Sequence, residues 1–232
     1  MNKTDPNAIV DDFVTTSNAS LDEWRLIVAA LEGQRIALRR RSAADAFMGL
    51  AVAWESFLSR RMIGAINRDA TQTVATLEGR VRRFATEELR IPEGHLPVAL
   101  VVDPHLNVSE VRRLLDPDDY NVVARSRAEL AERWLAEPYK SRATGITNFQ
   151  FKPVLIVRLI RNALAHRSTA AIAEANRVAR LGSTPAPLRH TGPRDLDVAG
   201  WRRYLLTTHR GSPRVENLYN NLTALASTLK VP

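Results

Sequence analysis

The stretch that decides the fold is KPVLIVRLIRNALAHRSTA, Lys152 to Ala170. Its Val, Leu, Ile and Ala residues recur at three- and four-residue intervals, which predicts a largely buried helix. Pro153 falls in the first turn of that expected helix, where a missing N–H is tolerated. The helix either ends near Arg167 or resumes after Ser168 through TAAIAEANRVARLG, closed by Gly182. Within the apolar run stand Arg161, Asn162 and His166. Burying such groups without partners costs about 2 kcal/mol or more each, so they either satisfy one another's neighbours or do chemical work.

Working outward, the same periodicity recurs. Ser20-Leu-Asp-Glu23 has the form of a capping box, followed by Leu21, Trp24, Ile27, Val28 and Leu31, and predicts a first helix from about Leu21 to Arg39 after a polar, acidic tail. Ser42-Ala-Ala-Asp45 opens a second, long and largely buried helix through Phe47, Leu50, Trp54, Phe57 and Met62. Thr71 to Leu89 reads as a third, amphipathic helix. Pro92, Gly94, Pro97 and Pro104 then break the pattern. Val98–Val102 has the character of a short strand, with Tyr120–Ala124 as its hairpin partner. Short helices are expected at Ser109–Leu115 and Ser126–Ala136, and a loop at KSRATGITNFQF with Gly145 at its turn. After Lys152–Gly182 come a proline-rich loop, Ser183–Asp195, and helices near Val198–Leu206 and Pro213–Lys230. There is no internal repeat. The pattern predicts an all-α fold, an antiparallel helical bundle with an irregular insertion between roughly 91 and 150.

The chain has 232 residues, 45% of them hydrophobic and 25% charged, within the range of a self-folding globular protein. No apolar run is long enough to span a membrane and the N-terminus lacks the pattern of an export signal, so a cytoplasmic protein is expected. With no cysteine, disulfides, thiolate metal sites and a cysteine nucleophile are excluded. The formal charge is +8, and of 33 basic residues four are lysines (Lys3, Lys140, Lys152, Lys230). This arginine excess suits a polyanionic partner, although a GC-rich genome would produce it too. Clustering at Arg35–Arg41, Arg60–Arg68 and Arg158–Arg167 favours the partner. His95, His105, His190 and His209 lack helical metal-pair spacing and read as surface residues. Trp24, Trp54, Trp134 and Trp201 fall on apolar faces and read as core or interface anchors.

At about 100° per residue, Arg158, Asn162 and His166 share one helical face, whereas Arg161 is turned about 140° from His166. Arg161 and His166 converge on one ligand if the helix ends or kinks near His166, or if two copies of the helix meet across a two-fold axis. The set is chemically apt for phosphodiester cleavage. A guanidinium holds phosphate bidentately and stabilises a pentavalent transition state. An imidazole takes a proton from a ribose 2′-OH or gives one to the leaving oxygen. Asn162 would orient the imidazole or bind the phosphate, and no metal or other cofactor is required. The competing reading is structural: a packed histidine, with arginines paired to carboxylates across the helix groove.

RNALAH, Arg161 to His166, resembles the Arg-polar-x-x-x-His signature of HEPN domains (higher eukaryotes and prokaryotes nucleotide-binding). GLAVAWESFLSRRM, Gly49 to Met62, resembles the early core helix of that family, with Glu55 and Phe57 directed toward the motif. The resemblance covers about thirty residues directly and extends by helical order over roughly 42–182. It implies a HEPN-like four-helix core, from which this chain departs by its insertion and by extra terminal helices, including a C-terminal helical extension over 183–232, all read as a single helical domain, 1–232. It further implies a homodimer with facing motif helices, and metal-independent endoribonuclease activity leaving a 2′,3′-cyclic phosphate. Carried over, Arg161 binds phosphate, Asn162 assists, His166 is general acid or base, and Glu55 orients Arg161 or His166 or is simply neutralised by Arg158 or Arg61. Arg158 and Arg167 would add RNA contacts. Family members recur in toxin–antitoxin and anti-phage defence systems, so an antitoxin or nucleotidyltransferase partner is expected and a membrane is not. The alternative is a non-catalytic HEPN-like module that binds RNA or a nucleotide, or serves as a scaffold.

Overall fold

The computed structural model describes residues 3–33, 35–95, 106–115 and 127–232, and these are all-α apart from one two-stranded hairpin. The strand expected at Val98–Val102, its partner at Tyr120–Ala124, and His105 lie outside the described residues. The helices are α1 (Pro6–Ala30), α2 (Ile36–Arg68), α3 (Thr71–Glu87), α4 (Val108–Leu114), α5 (Arg127–Trp134), α6 (Tyr139–Thr144), α7 (Asn148–His166), α8 (Thr169–Ala179), α9 (Val198–Leu206) and α10 (Arg214–Thr228). None of the described helices is long and apolar enough to cross a membrane.

The N-terminal region departs from the sequence reading. α1 begins at Pro6, not Leu21, because Asp5 Oδ1 accepts the Asn7 N–H at 2.9 Å and proline occupies the first helical position. Ser20-Leu-Asp-Glu23 therefore sits in mid-helix, where Asp22 pairs with Arg25 instead of capping. The helix stops at Ala30, and Gly33, at φ +80°, takes the left-handed conformation that reverses the chain. α2 consequently starts at Ile36, ahead of the expected Ser42.

Two compact units divide the chain. The first comprises Met1–Ile9, Leu58–Gly145 and Lys230–Pro232. Its core gathers Met62, Ile63 and Ile66 of α2 with Val111, Leu130, Trp134 and Tyr139, and Val74 and Leu77 of α3 pack against it. Two polar side chains inside are paired: Thr73 Oγ1 donates to the Trp134 carbonyl at 2.8 Å, and buried Asn67 donates to the Leu106 carbonyl at 2.7 Å while accepting the Thr4 N–H at 2.9 Å. α3 starts where Asp69 Oδ1 accepts the Thr71 N–H at 3.0 Å. The segment expected as a loop at 140–151 is mostly helical. α6 uses it, with Glu137 accepting the Ser141 N–H at 3.2 Å, and Gly145 is right-handed at φ −68°.

The second unit, Val10–Phe57 and Ile146–Leu229, holds the motif helix. Phe13 of α1 stacks on Phe57 at 4.6 Å and meets Trp54 edge-on at 5.4 Å, anchoring α1 to α2. α7 packs against α8, α9 and α10. Ile156, Ile160, Trp201, Leu205, Leu218 and Leu222 are almost fully buried there, each aliphatic side chain contributing about 1.5–3 kcal/mol by leaving water. Tyr219 O–H reaches across to the Ala46 carbonyl at 3.0 Å. The hairpin pairs Thr208 with Pro213 and His209 with Ser212 through Arg210 and Gly211, both at positive φ.

Candidate functional site

α7 is longer than its apolar run suggests because the chain caps it well upstream of Lys152. Thr147 Oγ1 accepts the Gln150 N–H at 3.2 Å, and Gln150 Oε1 accepts the Thr147 N–H at 2.9 Å, a reciprocal capping box. Pro153 thus lies inside the helix and not in its first turn. It lacks the N–H that would bond the Phe149 carbonyl, and its ring is buried in the core. The other end settles the two readings of the sequence. α7 terminates at His166, Arg167 turns left-handed at φ 53°, and Ser168 Oγ accepts the Ala171 N–H at 3.3 Å to start α8.

One stripe of α7 is fully committed to packing: Ile156, Leu159, Ile160, Ala163 and Leu164 are buried. Arg158, Arg161 and Asn162 are half-buried on its flank, while His166 and Arg167 are exposed at the terminus. The Arg161 side chain retains 31% of its exposure and that of Glu55, on α2, retains 42%.

The fold brings Arg161, Asn162 and Glu55 together. Arg161 Nη1 donates to Asn162 Oδ1 at 3.2 Å, and Nη2 stands 3.8 Å from Glu55 Oε2. Glu55 thus faces Arg161, the partner that orienting it would require. Arg161 Nε–H is buried and has no hydrogen-bond acceptor among the described residues, so the fork is held by its tips with its Nε–H unspent. His166 is bonded to none of the three and presents its ring to solvent. Along α7 it follows Asn162 by four residues, about 40° around the axis, so Asn162 lies angularly between the arginine and the histidine. The packed-histidine reading therefore fails for His166, while the paired-arginine reading holds for Arg161.

Beside this set lies a second charge pair. Arg177 Nε and Nη2 donate to the Glu174 carboxylate at 2.7 and 2.6 Å and hold its carboxyl below the usual carboxylate range, with a smaller contribution from the Arg158 charge. Arg158 is therefore close enough to the α8 carboxylate to act on it electrostatically. Glu174 and Arg177 escape the sequence reading, although their i, i+3 spacing on a helix is legible there.

His95 is exposed in a short 3-10 turn, and His190 Nε2 lies 2.9 Å from the Arg194 carbonyl. All four tryptophans are buried. Among the described residues there is no group of three His, Asp or Glu side chains that could hold a metal ion.

No family model matches the chain, and comparison with curated proteins and with solved structures likewise finds no match.

Proposed function

We propose that the protein is a HEPN-type, metal-independent endoribonuclease. The observation that carries the reading is the half-exposed Arg161 guanidinium, steadied by Asn162 and Glu55, about one and a half helical turns before an exposed histidine that ends the same helix. In this reaction His166 takes the proton of a ribose 2′-OH. The O2′ attacks the adjacent phosphorus, and the bond to the 5′-oxygen breaks. Arg161 neutralises the charge gathering on the equatorial oxygens. The leaving 5′-oxygen receives a proton from an imidazolium, leaving a 2′,3′-cyclic phosphate and a 5′-hydroxyl.

Because Arg161 and His166 diverge by about 140° on one helix, the reading takes the complete site to be shared by a homodimer, the arginine of one α7 serving with the histidine of its partner. Single-stranded and loop RNA fit best as substrate, since the scissile sugar there is free to align. Arg158 and Arg167 would supply further phosphate contacts, and an antitoxin or nucleotidyltransferase partner would restrain the activity in a defence setting.

The test is RNA cleavage by purified wild type, His166→Ala and Arg161→Ala in EDTA, alongside sedimentation to establish a dimer. Both variants should lose roughly 10²–10⁴-fold in rate while keeping fold and dimer. Undiminished cutting by either removes the assigned role. The second reading, a binding module without hydrolysis, draws on the Arg161–Glu55 pair, which would then be purely structural. It predicts salt-dependent RNA binding with no new ends.

A further inference from the structure

Beyond the Phe13–Trp54–Phe57 contact, α1 and α2 line an open groove of about 500 Å³ together with Tyr219 of α10. On the α1 side the walls run from Thr16 to Ile27, and on the α2 side from Ser42 to Ala53, about three helical turns each. Two observations say what fits. First, the chain carries a net charge of +8, yet among the described residues the charged groups lining the groove are both carboxylates, Glu23 and Asp45, the latter in a long, exposed pair with Arg41 at 3.8 Å. Second, four of the six α2 residues in the wall are small, Ser42, Ala46, Gly49 and Ala53, beside Asp45 and Leu50, and a Cβ placed on Gly49 would meet nothing within 4 Å. Glycine inside a helix is destabilising relative to alanine, and no described residue approaches Gly49 closely enough to require it. Gly79 is equally open but does not line this groove.

The missing side chain leaves space for a backbone to approach from outside, as when a helix lies in a groove. Ile27, exposed by 44%, adds apolar surface to the α1 wall. Trp24, 3% exposed in the wall, has an indole N–H without an acceptor among the described residues.

We propose that this groove docks an amphipathic, basic helix of a partner protein, about three turns long, with its apolar stripe against Gly49 and its cations beside Glu23 and Asp45. The proposal is independent of the ribonuclease reading. It is tested with a labelled helical peptide of about 18 leucines and lysines patterned on one face, a scrambled isomer and a leucine–glutamate counterpart. Binding is followed by fluorescence anisotropy to the full chain, to Gly49→Phe, and to the double variant Glu23→Lys with Asp45→Lys. The phenyl ring introduced by Gly49→Phe would project into the empty groove, so circular dichroism should show the fold unchanged. The patterned basic peptide should bind wild type and lose about tenfold or more in both variants, and the other two peptides should bind poorly. Equal binding of the scrambled or acidic peptide, or an unchanged affinity in Gly49→Phe, overturns the proposal. If the wild type self-associates and Gly49→Phe dissociates it, a second copy is the occupant and the partner helix is refuted.

Discussion

Arg161 Nη2 stands 3.8 Å from Glu55 Oε2, tying the motif helix α7 to α2 at a point where both side chains still see solvent. A pair this long and this exposed adds little to stability, about 0–1 kcal/mol. Its consequence is positional: it fixes one edge of a guanidinium whose other edge rests on Asn162.

Glu55→Gln should therefore separate stability from function. The chemical denaturation midpoint should move by less than about 1 kcal/mol equivalent, while RNA cleavage falls as Arg161 loses its orientation. Rate measured against melting in the same preparation checks this. A large loss of stability with an unchanged rate would make Glu55 an ion-pair partner only.

Arg167 offers a second separation. It is left-handed at φ 53°, a conformation costing an L-residue about 1 kcal/mol that glycine avoids. Arg167→Gly should raise the denaturation midpoint while weakening RNA binding at low salt, and the slope of log affinity against log salt should fall by about one phosphate contact. Affinity titrations at several salt concentrations, with thermal melts, provide both readouts.

The capping box on α7 predicts a purely structural effect. Thr147→Ala removes the acceptor for the Gln150 N–H and should cost about 1 kcal/mol by urea denaturation. The histidine end of the same helix lies about five turns away, so the specific activity of the folded fraction should not change.

Stability should also respond to alkali through Tyr219. Burial pushes this phenol up to about 12, and its O–H donates to the Ala46 carbonyl. A group raised in the folded state contributes its stability in full below its unfolded value of about 10. That contribution is lost as pH climbs toward 12, because the unfolded chain then binds fewer protons. The destabilisation caused by Tyr219→Phe should thus shrink between about pH 9 and about pH 11.5 in paired urea titrations. Tyr204, also raised by burial, is common to both proteins and cancels.

The helical class was legible because the apolar periodicity of α2, α7 and α9 is buried as the pattern demands, whereas in α3 the same spacing leaves Val81 and Phe84 exposed by 50% and 56%. Two of the boundaries that misled, the starts of α1 and α7, share a cause: side-chain caps compete, and the sequence does not say which wins. Ser20 had the form of a cap, but Asp5-Pro6 starts the helix earlier, and Thr147 with Gln150 captures residues that resemble a glycine turn. For the site, the 100° rule separated Arg161 from His166 correctly. Spacing within one helix could not foretell that Arg161 would bond Asn162, since that contact depends on rotamers. The α1–α2 groove was not readable at all, because it lies between two helices whose starts were both misplaced.

The most direct measurement of the central claim is the chemistry of the RNA ends produced in EDTA by wild type and by His166→Ala. Wild type should yield fragments bearing 2′,3′-cyclic phosphate and 5′-hydroxyl termini, and the variant should produce them roughly 10²–10⁴-fold more slowly. Fragments with 3′-hydroxyl ends, or equal cleavage by both proteins, would contradict the assignment.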